Sequence, residues 1–363
     1  MIGTRLKLAR TASGLSLRDL ADAAENRVTA QAIGKYERDE SMPSSGVLIA
    51  LANALGMTAE YLLGDEELIL EAVDFRKKAI SSKREESKVE AQVIHLLERY
   101  LTVEEILGLT SVDWARPESA PYPVSESVAQ AELAAAHVRA AWQLGNDPIP
   151  DLLELLEDKG IKLLAFPLGD DIDGLTARAR RSNRTPVPVI VVNSMQWHER
   201  QRFTLAHELG HMVLDVSNGL DEERAAHRFA SAFLMPDEAL WAEIGKHRTS
   251  VGWEELFRLK EIFGVSVQAL AYRCKDLGIF SDALFRRLFQ EFRARGWRSP
   301  PYQEPGALAP QKPRRFERLA FRALAEGALS EAKVAELLEI SVRELNRRMD
   351  EPPIFSVPEM AVA

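Results

Sequence analysis

Two histidines four residues apart lie in the middle of an otherwise apolar helical stretch, and this pattern restricts the fold more than any other feature of the chain. His207 and His211 belong to the pentapeptide HELGH, and the surrounding periodicity predicts one helix over residues 199–216. At this spacing both imidazoles project from one face of the helix, with Glu208 between them. Unpaired polar groups are costly among buried apolar side chains, so the pattern indicates a metal site. We therefore predict His207 and His211 as metal ligands and Glu208 as a catalytic base.

A catalytic zinc site needs a third protein ligand, and the next predicted helix, which starts at Asp221, offers two candidates on one face. These are Glu223 and His227, and the residue types alone leave both open. No histidine follows His211 at the glycine-containing spacing of the metzincins. The single cysteine, Cys274, rules out a cysteine zinc ribbon and an internal disulfide, and it fits a reducing cytoplasm.

Three short motifs make this region similar to the ImmA/IrrE-type metallopeptidase family. The similarity covers about residues 127–237, and its motifs are FTLAHELGH at 203–211, ERAAHRFA at 223–230 and LMP at 234–236. In this family the glutamate three residues before the alanine of the second motif completes the metal site. The resemblance therefore implies Glu223 as the third ligand.

Two further side chains are candidates for supporting these ligands. His227 stands where the family usually has asparagine, and it either reaches the metal or the substrate, or only packs beside the ligands. Asp215 lies four residues after His211 in the predicted helix. Its carboxylate either accepts the ring N–H of His211 and fixes the tautomer, or is solvated at the helix end.

The resemblance implies hydrolysis of a peptide bond with one divalent metal ion, Zn²⁺ by its ligand set, with Mn²⁺ as the alternative. Such an ion activates water and polarises the scissile carbonyl, while Glu208 takes the proton and passes it to the leaving amine. The predicted strand at 187–193 would hold an extended substrate by strand addition. The implied substrate is a repressor or an antitoxin-like protein. Two other functions stay open: a transcription factor whose peptidase-like domain senses a ligand or partner without cleaving it, and an antitoxin that pairs with a toxin.

The first 64 residues form short helical patterns separated by turn residues. Ser16 and Thr29 are placed as N-caps, and Pro43 opens a later helix. Over about sixty residues this register resembles the helix-turn-helix domain of the Cro and lambda-repressor (XRE) type, whose second motif helix lies in the major groove. The resemblance implies a recognition segment at 28–38, with candidate DNA contacts at Arg27, Thr29, Ala30, Gln31, Lys35 and Arg38.

The charge of the chain limits how it could contact nucleic acid. The sequence has 46 Lys+Arg against 55 Asp+Glu, a net charge of −9, which excludes coating of nucleic acid by bulk charge. Residues 2–64 carry seven basic and seven acidic residues, so this module is not basic. We expect site-selective, salt-sensitive binding of double-stranded operator DNA by a homodimer, with a protein-interaction role for the module as the alternative.

These patterns predict a mainly α chain with a small β-sheet. We expect a five-helix lambda-repressor-like domain (1–66), a helical connector and linker (67–126), a zincin-like metallopeptidase domain (127–240) and a helical C-terminal region (241–363). The C-terminal region contains two helix-turn-helix-like hairpins, at 253–277 and 329–349. These hairpins either cap the peptidase core or contact DNA.

Within the peptidase region, short β-branched runs bounded by Gly, Asp and Pro predict strands at 161–167 and 187–193. Residues 170–183 between them are either a solvated loop or edge strand, or a substrate-facing strand. Residues 352–363 are expected to be a loose tail. The chain has no run of about 18 uncharged apolar residues and no apolar leader near Met1, so we expect a cytoplasmic protein without membrane contact.

Overall fold

The computed structural model is mainly α with small β-sheets, as predicted. It describes residues 2–64, 68–77, 82–109, 114, 116–169, 172–181, 185–298, 304–306, 308 and 311–351. The chain divides into two compact units, of which one contains 1–96 and 112–313 and the other contains 97–111 and the residues from 314 onward. Across the described residues, every helix is too short or too polar to cross a membrane.

Five helices form the N-terminal module, and their number agrees with the prediction. They are α1 (Ile2–Ala12), α2 (Leu17–Ala23), α3 (Ala30–Glu37), α4 (Ser45–Ala54) and α5 (Ala59–Leu63). Ser16 caps α2 in a capping box with Asp19, and the Thr29 hydroxyl accepts a hydrogen bond from the amide of Ala32 at the start of α3. Helices this short are marginal in isolation, so they depend on a shared core that includes Leu6, Leu20, Ile33, Leu51 and Leu62.

The segment predicted as a helical connector begins instead with a strand, β1 (Leu68–Lys77), before helix α6 (Lys83–Ile106). β1 pairs antiparallel with a second strand, β4 (Ile172–Arg181), in a register that joins Leu68 to Arg181. The prediction of helix at 68–77 was wrong because the partner strand lies about a hundred residues away in sequence. Local periodicity carries no record of such a partner.

The main sheet has the strand order β1-β4-β5-β3, where β3 is Lys162–Phe166 and β5 is Val187–Asn193. β3 and β5 lie where the sequence predicted strands. β4 lies between β1 and β5, so the expectation of a solvated loop or edge strand at 170–183 was wrong for 172–181; residues 170, 171, 182 and 183 lie outside the described part of the chain. β5 is paired on both sides, parallel to β3 and antiparallel to β4, and it therefore has no free edge to which a substrate strand could add.

A second sheet forms in a stretch that was predicted to be a linker. Strand β2 (Tyr122–Val124) pairs parallel with β6 (Leu214–Val216), which directly follows the metal-motif helix. The proline-rich stretch before residue 127 thus joins the peptidase region. Proline removes one backbone donor, and a strand at the edge of a two-stranded sheet tolerates that loss.

One hydrophobic core runs from Tyr122 to Trp297, so the domain boundary predicted at 240 does not coincide with a break in packing. The first hairpin of the C-terminal region packs Leu259, Leu270 and Cys274 into this core, in agreement with its capping alternative. The helices around the core are α7 (Gln130–Ala141), α8 (Leu152–Asp158), α9 (His198–Val213), α10 (Glu222–Leu234), α11 (Asp237–Ile244), α12 (Trp253–Phe263), α13 (Val267–Asp276) and α14 (Asp282–Ala294).

The second unit has its own small core. It contains the end of α6 together with α15 (Arg315–Ala325), α16 (Glu331–Leu337) and α17 (Val342–Asp350). Tyr100, Leu319 and Leu337 are buried together, and α17 buries Leu345. α16 and α17 form the second predicted hairpin, and contact of this hairpin with DNA stays a prediction. The predicted tail at 352–363 lies outside the described residues.

Candidate metal centre

Helix α9 carries the histidine motif of the candidate site. Its apolar face buries Leu205, Leu209 and Val213 completely, while His207 and Glu208 are each only 1 % exposed. The helix ends at Val213, three residues earlier than the pattern predicted, because the chain then enters β6. The two imidazoles therefore lie in the last two turns of α9.

Helix α10 brings the third donor to these histidines. Asp221 caps it by accepting a hydrogen bond from the amide of Arg224, and Ala226 and Phe229 face α9. The two helices cross at Gly210, where an added Cβ would lie 3.1 Å from Cδ1 of Phe229 and 3.3 Å from Cα of Ala226. The absence of a side chain at Gly210 thus permits the close approach that places the first turn of α10 beside the motif.

Three side chains converge at this crossing. Nε2 of His207 lies 3.0 Å from Nε2 of His211, and the Glu223 carboxylate lies 3.6 Å from the first of these atoms and 3.5 Å from the second. One donor atom from each residue falls within 4.8 Å of the others. Two ligands bonded at 2.0–2.1 Å to a tetrahedral zinc ion would be about 3.3 Å apart, so these donors are spaced as such an ion requires. The set of two imidazoles and one carboxylate also fits the ligands of a catalytic zinc site.

The outer ring nitrogens of both histidines have partners as well. Nδ1 of His207 lies 3.2 Å from Nδ1 of His227, and Nδ1 of His211 lies 3.2 Å from Oε1 of Glu222. Glu222, which the sequence reasoning did not single out, occupies the role considered for Asp215. Asp215 is exposed in β6 beyond the end of α9, so the helical spacing that would have joined it to His211 does not exist.

A cavity of about 940 Å³ opens beside His207 and His227. Phe203 and Thr204 of α9 line it on one side, and α13 contributes Gln268 and Tyr272. At one end Arg200 bonds to Asp173 of β4 over 2.5 Å. His207, one of the three candidate ligands, therefore borders a space large enough for a segment of another chain.

A buried charge cluster under α9 was missed by the sequence reasoning. Nζ of Lys260 lies 2.5 Å from Glu199 and 2.6 Å from Glu304, and all three side chains are fully buried. Burial raises the pKa of Glu304, while its hydrogen bond to Lys260 opposes that rise. The three residues are far apart in sequence, so no local pattern indicates the cluster.

The predicted DNA-contact residues lie on or beside α3, which is shorter than the segment 28–38. Gln31 and Lys35 are exposed one turn apart on the same face, Ala30 is half-buried, and Thr29 is used as the helix cap. Arg27 and Arg38 are exposed but form ion pairs with nearby glutamates, at 3.0 and 2.6 Å. Among the predicted contacts, Gln31 and Lys35 are therefore the two exposed side chains that share one face of α3, and their contact with DNA stays a prediction.

Comparisons with known proteins agree with both parts of this description. Residues 6–62 match the helix-turn-helix family model, and residues 156–275 match the model described as IrrE N-terminal-like domain. A curated relative, the SPbeta prophage-derived uncharacterized HTH-type transcriptional regulator YonR of Bacillus subtilis (strain 168), is 40% identical over 63 residues. That match covers 17% of this chain and 56% of the relative.

The chain therefore joins an XRE-type helix-turn-helix module to an ImmA/IrrE-like domain of a metallopeptidase family. Both resemblances read from the sequence are confirmed. The second match continues to residue 275, which places α12 and α13 with the peptidase-like domain, in agreement with the continuous core.

Proposed function

We propose that this chain is a transcriptional regulator that binds operator DNA and also cleaves a specific protein in a metal-dependent reaction. The observation that supports cleavage is the convergence of His207, His211 and Glu223 beside a buried Glu208 and an open cavity. The matched helix-turn-helix model and the exposed face of α3 support DNA binding. A cytoplasmic homodimer is the form in which we expect both activities.

His207 and His211 would hold the metal through Nε2, and Glu223 through its carboxylate. A divalent ion held there would supply Lewis-acid activation of water and of the scissile carbonyl. Zn²⁺ is the ion that this donor set favours, and Mn²⁺ is the alternative.

Glu208 is the residue we assign to proton transfer. It follows His207 directly on α9, and its carboxylate would accept a proton from the attacking water and deliver it to the leaving amine. Because Glu208 is nearly inaccessible to bulk solvent, a proton it accepts would be retained for the leaving group. Its role thus differs from that of the three metal-holding residues.

The substrate would enter the cavity beside α9 as an extended segment. Addition of that segment to β5 is ruled out by the paired neighbours of β5, so we assign binding to the cavity walls, where Phe203 and Tyr272 offer apolar surface. The substrate we propose is a repressor or an antitoxin-like protein. A single accessible site in such a protein would account for regulation by cleavage.

The test uses the full-length chain, its metal content and its action on repressors encoded near its gene. We expect about one zinc per wild-type chain and cleavage of one such repressor at one site. Glu208→Gln should retain the metal and lose cleavage by a factor on the order of 10² or more, whereas His207→Ala should lose both.

The outcomes separate the alternatives. A wild-type chain that binds no metal would overturn the enzymatic function. A chain that binds metal and the repressor without cleaving it would instead support the non-proteolytic sensor, in which the peptidase-like domain recognises a partner. Retained cleavage in Glu208→Gln would show that the base is another residue.

A further inference from the structure

We infer that His227 sets the tautomer of His207 and, in doing so, presents its own Nε2–H as a hydrogen-bond donor to substrate in the cavity. This inference rests on the proposed metal-dependent function and assigns His227 a role in it. The role follows from the positions of two ring nitrogens and from a count of protons.

His227 is held against His207 by contacts on two sides. It lies one helical turn after Glu223 on α10, and its Nδ1 is 3.2 Å from Nδ1 of His207. The two rings meet edge to face, with centroids 4.4 Å apart, and the ring of Phe203 lies 5.6 Å from His227 on another side. The contact between the two Nδ1 atoms is therefore a defined feature of the α9–α10 crossing.

The position of the proton on His207 follows from its place in the proposed metal site. Nε2 of His207 faces His211 and Glu223, the other two proposed ligands, and a metal-ligating nitrogen carries no proton. The single proton of the neutral ring is then on Nδ1, which makes that atom a donor.

This assignment determines the state of His227. Two ring nitrogens 3.2 Å apart form a hydrogen bond only when one has a proton and the other a lone pair. With His207 as donor, Nδ1 of His227 must accept, so the proton of neutral His227 is on Nε2. His227 thus takes the place of the carboxylate or carbonyl that usually receives the outer proton of a metal-bound histidine.

Because Nδ1 of His227 contacts Nδ1 of His207, the Nε2–H of His227 points away from that contact. The residue is exposed and lines the cavity, along with Phe203 and Tyr272. A donor in that position, on the outer side of His207, is suited to a backbone carbonyl oxygen of a peptide bound in the cavity. One side chain would therefore orient a ligand and contact the substrate.

Two substitutions separate these roles. His227→Asn keeps an acceptor oxygen near the position of Nδ1 but removes Nε2–H, whereas His227→Gln places its amide near Nε2 and removes the inner acceptor. His227→Phe keeps the ring beside Phe203 and removes both nitrogens. His137→Phe is the matched control, because His137 is an exposed histidine of α7 whose ring lies 5.4 Å from that of Tyr122.

Zinc affinity, measured by competition with a chromophoric chelator on the full chain, reports the first role. We expect His227→Phe and His227→Gln to bind zinc about 10–100-fold more weakly, as is usual when the partner of a metal-ligating histidine is lost. His227→Asn should remain within about threefold of wild type because it keeps the acceptor, and His137→Phe should match wild type.

Cleavage at saturating zinc reports the second role. The kcat/KM of His227→Asn should fall about tenfold, the size of one lost hydrogen bond to substrate. In the zinc-loaded protein, nitrogen-15 NMR spectra should show the protons on Nδ1 of His207 and on Nε2 of His227. This spectrum tests the proton count without relying on any variant.

Four results would overturn all or part of the inference. Wild-type zinc affinity in His227→Phe, with metal lost in His207→Ala, would reject the orienting role while leaving the proposed function intact. Full activity in His227→Asn would reject the substrate contact. A proton on Nδ1 of His227 would reject both, and a wild-type chain without affinity for zinc would reject the inference together with the proposed function.

Discussion

Both histidines of the HELGH motif have a partner at Nδ1, the ring nitrogen that faces away from the proposed metal site. The two partners are of different kinds. Nδ1 of His211 faces the carboxylate of Glu222, while Nδ1 of His207 faces an imidazole. Glu222 directly precedes Glu223, so one turn of α10 provides both a proposed metal ligand, Glu223, and a carboxylate that orients His211, Glu222. The Glu222 carboxylate is two-thirds exposed, and water weakens its bond to His211 relative to a buried pair.

Substitution of Glu222 should therefore weaken metal binding modestly. We expect Glu222→Ala to reduce zinc affinity by up to about tenfold, the lower end of the usual range for an orienting partner. Asp215→Ala, its control, should leave zinc affinity unchanged because Asp215 lies in β6. An equal loss in both variants, measured by chelator competition, would show that the effect comes from general negative charge.

On α3, the helix that we propose contacts DNA, Gln31 and Lys35 should have separable effects. Gln31→Ala should cost about 1–3 kcal/mol at one operator position and relax specificity there, because glutamine can bond to two atoms of adenine. Lys35→Ala should weaken binding to all sequences alike and reduce the salt dependence by about one phosphate contact. Titrations of operator variants at several salt concentrations would check both, and identical behaviour of the two variants would contradict the assignment.

At the scale of elements, the crossing of α9 and α10 decides whether the three proposed metal ligands, His207, His211 and Glu223, come together. Gly210 lies inside the histidine motif, and its conformation is ordinary for a helix. Its importance lies in the contact, since Ala226 and Phe229 occupy the space that a side chain would need. Separation of the two helices by a few tenths of an ångström would also move Glu223 away from both imidazoles.

Gly210→Ala should therefore reduce zinc affinity several-fold and lower stability by about 1–2 kcal/mol, because overpacking outweighs the helical preference of alanine. Gly46→Ala is a suitable control, since Gly46 lies in α4 and an added Cβ would contact nothing within 4 Å. It should leave zinc affinity unchanged. Chelator competition and thermal melts would test both, and wild-type affinity in Gly210→Ala would show that the crossing tolerates a methyl group.

Which elements were predictable depended on the sequence distance of their contacts. The five N-terminal helices, α9 and the strands β3 and β5 follow from caps, periodicity and β-branched runs, all of which are local. β1 and the interior position of β4 depend on a pairing between residues about a hundred positions apart. Such a pairing leaves no local signal, so the apolar residues of 68–77 were read as part of a helix.

At the scale of the whole molecule, the buried cluster of Lys260 links distant parts of the peptidase-like region. Lys260 of α12 bonds to Glu199 at the start of α9 and to Glu304, which also accepts the amide of Val267. Desolvation of three ionisable groups is costly, and their mutual hydrogen bonds offset that cost. The cluster thus ties the helix that carries the histidines to the segment after α14.

Lys260→Met should strongly destabilise the protein, because it leaves two buried carboxylates without their cation. Loss of one partner from a buried ion pair costs about 3–5 kcal/mol, which should lower Tm by more than about 5 °C. Arg258→Met is the control, since Arg258 pairs with Glu261 on the exposed side of α12. Its Tm should change by less than about 2 °C, and similar shifts in both variants would contradict the importance of burial.

Local patterns were sufficient to predict a motif helix with His207, Glu208 and His211, because these residues lie within a turn of one another and spacing alone places the two histidines on a common face. The resemblance to known families added the helix-turn-helix module and Glu223 as the third ligand. Folding was needed to pair β1 with β4, to extend one core past residue 240, and to bring Glu222 and His227 to the outer nitrogens of the histidines. Each of these involves contacts between elements, and only the packing of those elements determines which side chains meet.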